Sequence, residues 1–406
     1  MVLPDGRELS NKPPLMAFAG AALYAPLHAV TGWRLADPRT GGRAIWTLTV
    51  LLVGVPAAAT VALFARAVAR DRASGPRTRS LLVVALGAGT LVASFSGTLN
   101  NHVPAALGVL AGVLAALDGR FGRAGLWLGL AAAIDLLPGA GFVPVAFALL
   151  LAAPDRVRAL ARFAGGLAVA ATLFVAANVA TAGSPLPPKM LPGAVDLSAQ
   201  AGPAMAGVVL PQGPFYALEL LFGGHGLFSV SPVLLVGAAG LALAVRRPPF
   251  GPRRFWTWLA AGIVLQFVGH ALVAGSYGGW SYGYRYLIPI QPLLLLAAPA
   301  ALAARAGRLA LAALLPPSLV FAALGAFHPW PPAFEQSTAG DPVATLVTNP
   351  IGGNAAAWLE RNLPGSAAAR AAGEVFVDRD PELRRRYYRL FFGSKGDLAT
   401  LRRFER

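Results

Sequence analysis

Two basic side chains stand where a very apolar chain rarely carries a cation. Lys12 comes directly before Pro13 and Pro14, which open an apolar segment. Proline is favoured in the first turn of a helix, so Lys12 is expected at the positive end of one. Arg285 lies in the aromatic stretch Gly278–Pro292, which leads into another apolar segment. Both positions suit a phosphate. The alternatives are a snorkelling lysine and an interfacial arginine in an aromatic belt.

Two further residues could move or hold a proton. His102 follows Asn101 in a short joint between apolar segments and could orient a hydroxyl or act as a base. Asp135 is the most deeply placed acid, and its alternative role is to cap a helix. Five other polar or aromatic residues at the same end of their segments are candidates to line a cavity: Asn101, His225, Tyr282, Tyr284 and Tyr286.

The composition excludes an ordinary soluble enzyme. Of 406 residues, 56% are hydrophobic and only 13% are charged, and the mean hydropathy is +0.60. The chain contains no cysteine, and no pair of histidines has metal-ligand spacing, so we expect no metal site. A formal net charge of +16 could indicate nucleic-acid binding, but it must first be compared with membrane topology.

The apolar segments have the length of membrane spans, which need about 17–25 residues. The clear ones cover about 46–69, 80–99, 103–117, 160–182, 227–245, 255–275, 287–304 and 308–327. Up to residue 327 the chain has 23 Lys and Arg residues, and 16 of them fall in five joints between these segments. The positive-inside rule makes those joints cytoplasmic. The charge therefore reflects topology, and we expect no nucleic-acid partner.

Two segments are irregular. Residues 125–153 have arginine-rich joints on both flanks, which predicts a broken hairpin of two short helices hinged at Pro138-Gly139. Residues 15–30 are short, and they either lie along the outer interface or enter the membrane and return. Residues 328–406 are polar, with helices expected around 354–363 and 381–392.

These patterns predict an all-α fold. We expect a polytopic transmembrane helix bundle with an interfacial helix, a broken hairpin and a small extracytoplasmic C-terminal tail. The predicted domains are a transmembrane domain over residues 1–327 and the polar tail over residues 328–406. The N-terminus and the tail are both expected outside the cytoplasm.

Five stretches, in order, resemble one family of membrane enzymes. They are residues 5–14 (DGRELSNKPP), 101–105 (NHVPA), 125–138 (GLWLGLAAAIDLLP), 228–232 (FSVSP) and 278–292 (GGWSYGYRYLIPIQP). Together they resemble the multi-pass C-type glycosyltransferases that use polyprenyl-phosphate sugars, especially the bacterial dolichyl-phosphate-mannose-protein mannosyltransferase-like and aminoarabinose-transferase-like group.

The resemblance implies a multi-pass protein of the bacterial inner membrane that performs an inverting sugar transfer at the outer face. It implies a lipid-linked sugar phosphate as donor, Lys12 and Arg285 as its phosphate ligands, no further cofactor, and an acceptor glycan, lipid or protein. The family's first span and the acidic motif after it would lie upstream of Lys12, where only Asp5 and Glu8 remain as acids. Either the coding sequence starts further upstream, or a partner supplies the acid, or the protein is inactive.

A different class of protein remains as an alternative. A lipid-linked sugar flippase or transporter would also be polytopic, but it should have paired broken helices in two halves and charge near the middle of the membrane. A structural membrane partner is a third alternative. The candidate polar residues are confined to one end of the segments, which favours an enzyme acting at the membrane surface over a protein that moves a substrate across the membrane.

Overall fold

A computed structural model describes residues 2–3, 6–10, 12–191, 214–273, 281–331 and 350–404. Within these ranges the chain is helical, apart from an isolated antiparallel bridge between Val2 and Glu8. The all-α prediction is confirmed. Asp5 lies outside the described residues, so its predicted role has no structural counterpart.

The helices follow one another with short joints. They are α1 (Leu15–Thr31), α2 (Gly41–Val68), α3 (Pro76–Phe95), α4 (His102–Leu117), α5 (Phe121–Ile134), α6 (Leu136–Gly141), α7 (Val143–Leu150), α8 (Arg156–Ala182), α9 (Pro214–Phe222), α10 (Leu227–Val230), α11 (Leu234–Ala244), α12 (Arg253–Val273), α13 (Gln291–Leu302, preceded by the 3-10 turn Arg285–Ile290), α14 (Arg305–Phe327), α15 (Pro350–Asn362), α16 (Ala367–Phe376), α17 (Pro381–Lys395) and α18 (Leu398–Leu401).

Several of these helices could cross a membrane. Among the described residues, six are long and apolar enough to do so: α2, α3, α8, α12, the 3-10 turn with α13, and α14. The α13 span is 83% buried inside the bundle, whereas the α8 span is 22% buried. The fold is therefore that of a polytopic helical membrane protein, with α13 at its centre and α8 on its outside.

One predicted span is wrong. Residues 227–245 do not form one helix, because the chain breaks at Ser231-Pro232 between α10 and α11. The segments Tyr216–Val230 and Leu234–Ala244 meet at a bend of 105°. Ser231 has an extended φ of −143°, and the proline after it lacks the amide that would continue the helix. Apolar length was the signal used for this span, and it concealed the corner.

The broken hairpin is confirmed, but its hinge is displaced from the predicted position. Residues 121–150 form α5, α6 and α7, and the helix ends at Asp135, whose φ of −148° and ψ of 100° are extended. Pro138 and Gly139, the predicted hinge, lie inside α6. A proline near the start of a helix needs no amide partner, so Pro138 is tolerated there. Gly139 lets α6 fold back onto the backbone of Ala132.

Four of the arginine-rich joints are linked at one end of the bundle by direct contacts. Arg70 after α2 pairs with Asp118 after α4 at 2.7 Å, and Gly122 in α5 faces the backbone of Arg162 in α8. Gly251, before α12, packs against Leu117. We call the end formed by the joints 66–79, 118–123, 151–162, 245–254 and 302–308 the arginine end.

The fifth joint reaches the same end because α11 and α13 run parallel. Gly237 faces Leu294, and three residues later Gly240 faces Ala297. The ends of both helices, near residues 245 and 302, therefore lie side by side. The opposite end, which we call the aromatic end, contains residues 98–102, 134–136, 281–286 and 328–331.

Helix α1 is a single helix of 17 residues with Pro26 inside it and no buried residue. An unbroken helix cannot enter the membrane and return, so of the two alternatives the interfacial one fits. Its contact with the rest of the bundle includes Gly20 against Leu52 in α2.

The tail has an apolar core of its own. Tyr387, Tyr388, Phe391 and Phe392 of α17 pack with alanines of α15 and α16. Helices predicted around 354–363 and 381–392 are present as α15 and α17, and α16 was missed. The division of the chain at residue 327 stays a prediction.

Candidate functional site

The ring of Tyr286 lies at the centre of the aromatic end. Tyr286 belongs to the 3-10 turn that opens α13, where Pro289 and Pro292 restrict the backbone. Tyr286 is half-buried. The imidazole of His102 meets its ring edge-on at 5.0 Å between centroids, and His270 of α12 stacks on it at 5.4 Å.

Both predicted phosphate ligands converge on this ring. The Lys12 Nζ lies 5.6 Å from the Tyr286 ring centroid, and the Arg285 Cζ lies 5.5 Å from the same point. The two cationic groups are therefore separated by no more than the sum of these distances. They come from positions 273 residues apart in the sequence. Ligands of one phosphate have to lie close together, and these two residues do.

Arg285 contacts a second aromatic ring. Its Cζ also lies 4.6 Å from the ring centroid of Trp330. Trp330 is fixed in turn, because its Nε1–H donates to Thr98 Oγ1 at 2.8 Å and its ring meets Phe95 edge-on at 5.2 Å. Aromatic faces attract a guanidinium without neutralising it.

Neither cation is neutralised by an acid. Within the described residues, no carboxylate lies within ion-pairing distance of Lys12 or Arg285. The Arg285 Nε is buried and has no hydrogen-bond partner there. A buried donor without a partner costs about 1–3 kcal/mol. The arrangement therefore leaves donors and positive charge available to an anion.

An acid and a base form a close pair beside these cations. The His102 Nδ1–H donates to Asp135 Oδ2 at 2.6 Å. His102 lies at the start of α4 and Asp135 at the break between α5 and α6, so two helix ends supply the pair. Both Arg285 and Lys12 are close enough to His102 for their charges to act on it. The convergence expected for His102 and Asp135 is therefore present.

Asn101 and Asn100 fix the backbone around the His102–Asp135 pair through different hydrogen bonds. Asn101 Nδ2 donates to the carbonyl of Ile134 at 3.2 Å, which ties the start of α4 to the residue before Asp135. Asn101 was predicted to line the cavity. Its neighbour Asn100 makes the cap, accepting from the Val103 amide at 2.9 Å. Asn101 therefore positions the pair.

Behind Tyr286, His270 is part of a buried layer. The Gln266 amide donates to His270 Nε2 at 2.8 Å, one helical turn away in α12. Tyr284 meets both His270 and Tyr286 edge-on, at 5.9 and 5.4 Å. Tyr284 is fully buried, so it supports the rings from behind and was wrongly expected to line a cavity.

Three other predicted site residues lie apart from the cluster. Tyr282 is fully buried and its hydroxyl donates to the carbonyl of Phe321 in α14 at 2.7 Å, so it packs the core. His225 Nδ1–H donates to the Ser281 carbonyl at 2.7 Å, which joins the turn before α10 to the aromatic stretch. Glu8 is exposed and forms no ion pair within the described residues.

Trp330 is the site residue that sequence reasoning missed. It stands in the run His328-Pro329-Trp330-Pro331, directly after the last span. A tryptophan at a span boundary is typical of the membrane interface, and that signal was available. Its partner 45 residues upstream was not visible in the sequence.

The site offers no evident metal ligand set. Among the described residues, no three His, Asp or Glu side chains are placed to hold a metal ion. The chemistry on offer is anion binding by Lys12 and Arg285 next to the His102–Asp135 pair.

Comparison with known proteins adds no relative. No family model, no curated protein and no solved structure matches the chain.

Proposed function

We propose that this protein is a membrane glycosyltransferase that moves a sugar from a polyprenyl-phosphate donor to an acceptor at the outer face of the bacterial inner membrane. The observation that carries the proposal is the placement of Lys12 and Arg285 over one ring, with no carboxylate partner among the residues that the structure describes. The motif resemblance supplies the class of donor. The acceptor is a glycan, a lipid or a protein.

The site suits the phosphate of such a donor. A phosphodiester needs charge-assisted donors, and a guanidinium with a free Nε–H can bind two of its oxygens. The same cations stabilise the negative charge that develops on the leaving lipid phosphate during transfer. In this scheme the donor brings the reactive group, and the protein supplies binding and electrostatics with no further cofactor.

The lipid part of the donor fits the membrane-facing helices nearby. Helix α1 begins three residues after Lys12 and exposes apolar side chains along its length, including Phe18 and Val30. A polyprenyl chain is as apolar as lipid, so it can lie against such a surface while its phosphate stays at the aromatic end.

A sided liposome assay tests this proposal. The purified chain is reconstituted with synthetic short-chain polyprenyl-phosphate sugars, including the mannose and aminoarabinose forms. Sugar released to water or to added acceptors is measured against protein-free liposomes. We expect release that requires Lys12 and Arg285. Translocation of intact donor between leaflets without any release would contradict transfer and favour a flippase.

The flippase or transporter alternative has one observation in its favour. The chain contains two broken elements, the hairpin at Asp135 and the 105° bend at Ser231. Broken helices often line substrate paths. The cationic residues of the site nevertheless cluster at one end of the bundle, which favours binding at the surface.

A further inference from the structure

The helix break at Asp135 places a carboxylate in an unusual role. Aspartate is favoured at the first position of a helix, where its oxygen caps a free backbone amide. Asp135 occupies that position before α6, yet its side chain makes no cap hydrogen bond. The carboxylate is instead turned toward His102, 2.6 Å away.

The two members of the pair differ in access. The His102 side chain is 2% exposed, whereas the Asp135 side chain is 14% exposed. The hydrogen bond occupies Asp135 Oδ2 and leaves Oδ1 without a partner in the described residues. The carboxylate is therefore the member that a hydroxyl can approach, and the imidazole holds it from behind.

The surroundings of the pair are positively charged. The charges of Lys12 and Arg285 interact with His102, and His270 interacts electrostatically with both members of the pair. Tyr286 contacts His102 edge-on, at 5.0 Å between ring centroids, and both cations lie over its ring.

We propose that Asp135 is the catalytic base that activates the acceptor hydroxyl, and that His102 is the residue that positions it. This inference rests on the proposed transfer function and takes it further. It assigns the base to the broken hairpin.

The step balances without another reactant. The acceptor oxygen forms a bond to the anomeric carbon of the sugar while the bond from that carbon to the phosphate oxygen breaks. The hydroxyl proton passes to Asp135 Oδ1. The electron pair of the broken bond leaves with the lipid phosphate, whose charge Lys12 and Arg285 offset.

Substitutions at Asp135 test the base directly, with Asp118→Asn at the arginine end as the matched control. General-base catalysis contributes about 100- to 10,000-fold, so Asp135→Asn should lower the rate of sugar release by at least about 100-fold. Binding of sugar-free polyprenyl phosphate should stay intact or tighten about threefold, because a like charge is removed. Asp118→Asn should change neither quantity.

A second variant separates the two members of the pair. In His102→Asn the amide can still donate to Asp135 but no basic nitrogen remains, so we expect a loss below about tenfold in kcat with an unchanged KM for the donor. His102→Ala should lose more. If His102→Asn is as inactive as Asp135→Asn while the protein still binds polyprenyl phosphate, the base is the imidazole and the assignment is wrong.

The outcomes distinguish this inference from the function on which it rests. Wild-type turnover that Asp135→Asn leaves unchanged would overturn the base and keep the transferase. A wild-type protein that binds polyprenyl phosphate but releases no sugar from any donor of the panel would overturn transfer and base together. A wild-type protein that binds no polyprenyl phosphate would overturn the donor site itself.

Discussion

The cations at the two ends of the bundle have opposite surroundings. At the arginine end, Arg70 forms two hydrogen bonds with Asp118, at 2.7 and 3.0 Å. Arg79 donates to the carbonyl of Asp71, and Arg308 donates to the last carbonyls of α13. Carboxylates and helix C-termini are the usual partners of such cations. These three arginines make hydrogen bonds within the fold.

At the aromatic end the same residue type is held differently. Arg285 contacts the rings of Tyr286 and Trp330, and no carboxylate in the described residues pairs with it. The nearest acid of the site, Asp135, is bonded to His102. At the arginine end Arg70 is thus paired with a carboxylate, whereas at the aromatic end neither Lys12 nor Arg285 has such a partner among the described residues. This difference is the basis of the proposal that the aromatic end binds an anion.

The largest expected effect concerns the side of the membrane that each end of the bundle faces. A reporter fused at residue 75 marks the arginine end, and one fused at residue 340 follows the aromatic end. We expect opposite sides, with the arginine end in the cytoplasm, because positive joints are retained there. Reporter activity on the same side for both fusions would invalidate the comparison between the ends.

A smaller effect is expected from Trp330, whose ring positions Arg285 in the absence of an acid. Trp330→Ala should weaken polyprenyl-phosphate binding about fivefold, since a partly desolvated cation–π contact contributes about 1 kcal/mol. Trp330→Phe keeps a ring and should restore most of the affinity, although it loses the bond to Thr98. Isothermal titration in detergent measures both. Equal losses in the two variants would mean that packing, and not the ring's attraction for Arg285, is responsible.

The smallest effect concerns the contact between the tail and the bundle. His328, directly after α14, is buried beside Phe391 and hydrogen-bonded to Ser394 at 2.9 Å. Burial and the nearby Lys395 lower the pKa of His328 to about 4 from an ordinary 6.5. The undocked tail binds a proton more readily, so docking is most stable above pH 6.5 and weakens as the pH falls toward 4.

Limited proteolysis of the tail across that pH range measures the docking. Cleavage should increase as the pH falls, and His328→Gln, which cannot be protonated, should flatten the dependence. A wild-type cleavage rate that does not change with pH would contradict the assignment to His328.

Much of the architecture could be predicted from the sequence because its signals are local. Apolar length predicted most of the spans, and arginine clusters predicted which joints meet. The corner at Ser231 escaped because apolar length was the signal used for spans, and it gave too little weight to the serine–proline step that breaks the helix. The hinge at Asp135 was assigned to Pro138-Gly139, since proline is the stronger local signal although it is tolerated inside the first turn of a helix.

The charged residues of the site could be predicted from the sequence, but the roles of the aromatic residues around them could not. Lys12 and Arg285 stand out because each is a cation at the entry to an apolar segment, Lys12 before two prolines and Arg285 within an aromatic stretch. The roles of Tyr282, Tyr284 and His225 could not be separated from that of Tyr286, because all are aromatic rings near the same boundary. Only packing between distant helices decides which ring faces the cations and which fills the core. The contact between Trp330 and Arg285 also depends on packing between distant helices, so the sequence did not reveal it.

The most direct test compares cations from the two ends in one measurement, the affinity of the purified chain for polyprenyl phosphate. Lys12→Ala together with Arg285→Ala should lower it about 100-fold or more, because two charge-assisted contacts to phosphate are lost at about 1.5–3 kcal/mol each. Arg70→Ala, which removes a cation paired with Asp118, should leave it unchanged. Equal affinity in all three proteins, with all of them folded, would contradict the claim that the aromatic end is an anion site.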